Sequence, residues 1–153
     1  MKYNEKVIDI LNDLLKINND RIEGYNKASE ETNESDLKSL FRTMGNDSRQ
    51  IASELTTRIA SLGGEPVVGD TTGSGKIYRV WMDVKATFAG NDRESVLNSC
   101  EFGEDAAQKA YNTALDDNDL TGEARTLVQD QQLRLKRGHD TIKAKRDMAH
   151  AAS

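Results

Sequence analysis

The sequence predicts an all-α protein: an up-down four-helix bundle with a long crossover, holding a short helix, between the second and third helices. Three observations carry this. Apolar residues recur at i, i+3, i+4 and i+7 through four long segments. With Pro 1 and Gly 11 in 153 residues, the chain lacks the punctuation that a strand-rich fold needs. Two short polar turns divide the segments into hairpins, and a roughly 30-residue link joins the hairpins, long enough to run the length of a bundle.

The first helix is expected over about residues 4–31, on Val7, Leu11, Leu14, Leu15, Ile22 and Tyr25. A polar turn, ETNESD, follows, with Ser35 as its N-cap. The second helix, about 36–62, shows Leu37, Leu40, Phe41, Met44, Ile51, Leu55, Ile59 and Leu62, and stops at Gly63-Gly64, where glycine relieves a left-handed turn. The loop EPVVGDTTGSG leads into KIYRVWMDVKATFAG, a shorter helix with Ile77, Val80, Trp81, Val84 and Phe88 on one face. The third long helix, about 92–117, carries Val96, Leu97, Cys100, Ala107, Tyr111 and Ala114. DDNDLTGEA turns the chain, with Thr121 as cap and Glu123 in the first turn. The fourth helix, about 122–147, carries Ala124, Leu127, Val128, Leu135, Gly138 and Ile142, and MAHAAS is a frayed tail.

GYNKASEETNESDLKSLF around Tyr25 resembles AYNTALDDNDLTGEARTLV around Tyr111, with one inserted residue at the turn. Two similar antiparallel hairpins joined by a long link make the second and third helices parallel, the ferritin-like arrangement. Depth then follows at about 1.5 Å per residue and facing at about 100° per residue. The inward stripe of the first helix runs Leu11, Asn18, Ile22, Tyr25, and Asn18 interrupts it. Ser48 interrupts Met44 and Ile51. Gly103 and Glu104 interrupt Cys100, Ala107 and Tyr111, and Gln131 interrupts Leu127 and Leu135. The four interruptions lie within about 6 Å of one another along the axis. Asn18, Ser48, Glu104 and Gln131 are therefore expected in one mid-height layer. They either hydrogen-bond one another or trapped water and fix the register, or form an altered ligand pocket.

The hairpin repeat, the crossover and the phrases LNDLLKINNDRIEGYNKA and CEFGEDAAQKAY resemble a bacterial family of four-helix proteins of unknown function within the ferritin-like superfamily. The resemblance covers nearly the whole chain. It implies a single ferritin-like domain over 1–153 and a stress-related role. Di-iron members of that superfamily hold metal at mid-height with a Glu from each of two helices and Glu-x-x-His from each of the other two. Here no Glu-x-x-His occurs; Glu54-x-x-Thr57 and Lys136-x-x-His139 are the nearest. Glu23 faces away from the core, and Glu54 lies about 15 Å too deep along the axis to meet it. One carboxylate among neutral groups cannot hold two iron ions. No metal and no cofactor are expected. If a metal is held, its ligands are Glu104 with Asn18, Gln131 or His139, and iron is the alternative the superfamily implies.

The formal charge of -5 opposes general nucleic-acid binding and an anionic membrane surface. No apolar run reaches the length of a membrane span. The lone Cys100 cannot form an internal disulfide and faces the core, which suits a reducing, cytoplasmic compartment. No Ser-His-Asp or Cys-His grouping can be assembled, since the second histidine, His150, lies in the tail. GDTTGSGK lacks the spacing of a phosphate loop and follows no strand. Gly103 and Gly138 face inward, for close approach of the third and fourth helices or for the Tyr25 ring. In the stretch from Glu101 to Asp105, Glu101 lies on the flank, Asp105 and Phe102 point out, and Glu104 turns in. Phe102 and Leu133, with Trp81 and Phe88 of the crossover, suggest a self-association or partner surface. The expected function is that of a non-catalytic helical bundle. The alternatives are an iron-handling or redox protein with a reduced site, and a partner-binding module using the Trp81 helix.

Overall fold

Apolar residues set one helical turn apart bury a continuous stripe only if the chain stays helical over its full length, and four long helices result. A computed structural model describes residues 2–71 and 93–152. The helices are α1 (Lys2–Glu31), α2 (Ser35–Ser61), α3 (Arg93–Asp116) and α4 (Gly122–Ala152). Residues 72–92, with Trp81, Phe88 and the expected crossover helix, lie outside the described residues.

The α1–α2 turn reverses one residue earlier than expected. The Thr32 hydroxyl accepts a bond from the Glu34 amide at 3.2 Å, so Glu34, in extended backbone, takes the N-cap position and Ser35 is already helical. At the far end of α2, Gly63 adopts φ +86 and the Gly64 amide returns to the Ile59 carbonyl at 2.9 Å, closing the helix as the glycines predict. The chain then climbs the outside of α1. Asn12 donates to the Glu65 carbonyl at 3.1 Å and accepts from the Val67 amide at 3.0 Å, and Asn19 donates to the Asp70 carbonyl at 2.8 Å.

Helix directions follow from which residues meet. Arg21 meets Glu104 while Asn18 meets Tyr111, so α1 and α3 are antiparallel. α1 is also antiparallel to α2 through the short turn, so α2 and α3 run parallel. Arg93 confirms it by forking onto Asp36 at 2.6 and 3.1 Å, which ties the first turns of α2 and α3 together. The end of α2 and the start of α3 therefore lie at opposite ends of the bundle, as the ferritin-like arrangement requires. α4 continues to Ala152 and does not fray after residue 147, because Ala149 packs on the core and the His150 ring reaches Glu94 at 2.5 Å.

Two apolar clusters form the core. One gathers Leu11, Leu14, Ile51, Leu55, Ala107, Val128 and Leu135; the other gathers Tyr25, Phe41, Met44, Leu97, Cys100 and Ile142. Between them lies the polar layer.

Candidate functional site

Asn18, Ser48, Glu104 and Gln131 are each fully buried, at 0% exposure, where stripe and depth place them. A fifth member was not legible in the sequence. The Arg21 side chain is 1% exposed and lies across the layer, while Ile22, expected on the stripe, is only half-buried. Taking the stripe centre between Asn18 and Tyr25, Arg21 and Ile22 each lie about 50° from it, on opposite sides, so phase alone cannot choose between them. Charged residues are almost never fully buried without a partner. Arg21 has one, 83 residues away: its Nε donates to Glu104 Oε1 at 2.9 Å and its Nη2 lies 2.8 Å from the same oxygen.

The remaining donors of Arg21 are also occupied. Nη1 donates to the Met44 carbonyl and to Ser48 Oγ, both at 2.9 Å, and Nη2 approaches Met44 Sδ at 3.3 Å. From there one chain of donors runs in a single direction. Ser48 donates to Asn18 Oδ1 at 2.9 Å, Asn18 to the Tyr111 hydroxyl at 2.9 Å, Tyr111 to Gln131 Oε1 at 2.9 Å, and Gln131 to Glu54 Oε1 at 3.2 Å. Arg134 closes the chain on Glu54. All four helices contribute, and such chains strengthen bond by bond in a low dielectric.

The internal repeat reappears here as a cross-pairing. Tyr25 donates to Glu104 Oε1 at 2.5 Å, and Glu104 stands seven residues before Tyr111. Tyr111 accepts from Asn18, which stands seven residues before Tyr25. Each repeated tyrosine thus reaches the polar residue of the opposite repeat. Arg21 breaks the symmetry, since the matching position is Ala107. The guanidinium also lies over the Tyr25 ring, 5.2 Å from its centroid.

Gly138 owes its place to Arg21, and not to the Tyr25 ring or helix approach: a Cβ there would lie 2.9 Å from Arg21 Nη2 and 3.0 Å from Met44 Sδ. Burial pushes the Tyr25 hydroxyl well above its usual value and the Glu104 charge adds to this; burial likewise raises Tyr111 and Cys100. Burial would lower Arg21, but the adjacent carboxylate outweighs it and the guanidinium stays charged.

The layer does not fit the di-iron centre of the ferritin-like superfamily. Glu104 Oε2 is buried and finds no hydrogen-bond partner, so one oxygen has capacity for another ligand. It belongs, however, to a carboxylate already neutralised by Arg21, whose positive charge opposes a metal cation at the same depth. Two of the other side chains, Asn18 and Gln131, are neutral amides spent on neighbours. His139 does not join them. Its ring faces the α3 flank, with Nε2 2.5 Å from Asp105 Oδ1 and Nδ1 3.1 Å from Asp140 Oδ1. Glu101 is on that flank and Asp105 and Phe102 are exposed, as their helical phase predicts.

No curated protein matches the sequence. Among solved structures, a mutant of Dps1 from Mycobacterium smegmatis is similar with a TM-score of 0.77, over 95% of this chain and 97% of that one, at 15% identity. At that identity the likeness is one of fold, and it identifies the bundle as ferritin-like. Residues 6–117, from the first turns of α1 to the end of α3, match the family described as domain of unknown function DUF2383, and the chain belongs to that family.

Proposed function

We propose that this protein is a non-catalytic ferritin-like bundle in which a buried ion pair stands in place of a mid-bundle metal, and which acts through its outer surface or assembly. The observation that carries this reading is Arg21 against Glu104 at 2.8 Å, with the side chains 1% and 0% exposed. A fixed cation at mid-height supplies the countercharge that a metal would bring, and its fork occupies one of the two carboxylate oxygens, Oε1. Phe102 and Leu133, 68% and 56% exposed on the outer faces of α3 and α4, support a surface role. Among the described residues no helix is long and apolar enough to cross a membrane, and the one cysteine is buried and free, which supports a cytoplasmic setting.

One observation favours a second reading, iron handling at a reduced site: the buried Glu104 Oε2 lacks a partner. Anaerobic ferrous loading of untagged protein, followed by oxygen and metal analysis, decides between them. The expected result is no oxygen-dependent absorbance from the mid-bundle layer and no change on Glu104→Gln. Near-stoichiometric iron that Glu104→Gln abolishes would overturn the proposal.

A further inference from the structure

The flank of α3 and α4 holds a second polar constellation outside the layer. Glu101 and Asp105 stand one helical turn apart on α3, hence on one face. His139 reaches them from α4, and one ligand atom from each of the three lies within 4.8 Å of the others. The burial is graded. The Glu101 and His139 side chains are 15% and 19% exposed, and Asp105 is 55% exposed, so two donors are walled by protein and the third opens to water.

The histidine is held as a metal ligand is held. Metal-bound imidazoles turn their far ring nitrogen to a carboxylate, which sets tautomer and ring orientation. His139 presents Nδ1 to Asp140 Oδ1 at 3.1 Å, while Nε2 points at the α3 carboxylates. Asp140 is itself held by Lys136 at 3.1 Å. Glu101 Oε2 is shut off from water and accepts no hydrogen bond of good geometry; the Arg146 guanidinium lies 2.9 Å from it as an ion pair. Arg146 is 28% exposed and also holds Asp147 at 2.9 Å, so it has an alternative anion when a metal takes Glu101.

We propose that Glu101, Asp105 and His139 form a mononuclear site for a divalent transition cation of the zinc class, with Asp140 as the residue that positions His139. One imidazole and two carboxylates suit a borderline ion that accepts nitrogen and oxygen donors, with water in the remaining position. Magnesium and calcium prefer oxygen alone and are not served by this set. The site is independent of the mid-bundle layer and does not depend on that layer being metal-free.

The test uses untagged, chelator-treated full-length protein titrated with Zn2+ by calorimetry, with Co2+ as the visible-absorption probe. One Zn2+ per chain is expected, not displaced by excess Mg2+. His139→Ala and Asp105→Asn should abolish binding, and Asp140→Asn should weaken it about 10-fold or more. His150→Ala and Glu104→Gln should leave it unchanged, with circular dichroism confirming that each variant is folded. Absence of binding in the wild type would show an ion-pair cluster only and overturn the proposal. Binding that survives His139→Ala would overturn it too. Binding lost on Glu104→Gln with His139→Ala intact would place the ion in the layer, and would overturn the ion-pair reading of that layer as well.

Discussion

Arg21 and Glu104 carry the largest single energetic risk in the bundle, because each is a charge removed from water and compensated by the other. Removing one partner leaves the other buried and unpaired. Arg21→Met and Glu104→Gln should therefore each lower stability by about 3–5 kcal/mol, read as a shift of the urea midpoint. The double variant Arg21→Met with Glu104→Leu should recover most of that loss, since apolar groups of similar volume need no countercharge. Gly138 belongs to the same pair. Alanine is better in a helix by about 1 kcal/mol, yet Gly138→Ala should destabilise, because its Cβ meets a guanidinium pinned by three oxygens and cannot displace it cheaply. In an Arg21→Ala background the sign should reverse and the helix gain should appear; thermal melts of the four proteins check both halves.

At the level of elements, the helices are set by periodicity and their ends by turn chemistry. α2 ends where Gly63 takes φ +86, and a side chain there strains the backbone. Gly63→Ala should cost about 1 kcal/mol by denaturant titration. Gly64 is tighter for another reason: a Cβ would lie 2.7 Å from Ile8 Cγ2, so the chain leaves α2 directly over α1 before turning up the bundle. The three α-helix ends nearest the crossover and the tail are thus set by contact with neighbouring helices as well as by local sequence. This is why α4 extends past the point where its apolar pattern fades: Ala149 and the His150–Glu94 contact hold the last turn.

For the whole molecule, the polar layer binds all four helices through one directed chain of donors that passes through Tyr111, while Tyr25 donates separately to Glu104. Tyr25 and Tyr111 are both raised by burial. An acid raised in the folded state gives stability that is present below its unfolded value, about 10 for tyrosine, and lost as pH rises above that value toward the folded one. The bundle should therefore unfold at alkaline pH. Tyr25 and Tyr111 should ionise, followed at 295 nm, only together with loss of the far-ultraviolet helical signal. Ionisation of all tyrosines at pH 10 with the helices intact would contradict the buried network.

The four helices, the parallel α2 and α3, and the layer of Asn18, Ser48, Glu104 and Gln131 could be read from the chain by itself, because spacing along a helix decides both which way a residue faces and how deep it lies. What occupies that layer could not. Arg21 and Ile22 sit at equal angles from the stripe centre, and only the packed bundle puts a carboxylate 83 residues away within reach of the guanidinium. The same holds for Glu101, Asp105 and His139: one turn of α3 and one position of α4 are each unremarkable in sequence, and they become a constellation only where two helices meet. Periodicity is a property of neighbours along the chain, whereas pairing is decided by distances between chains of atoms that the sequence keeps far apart.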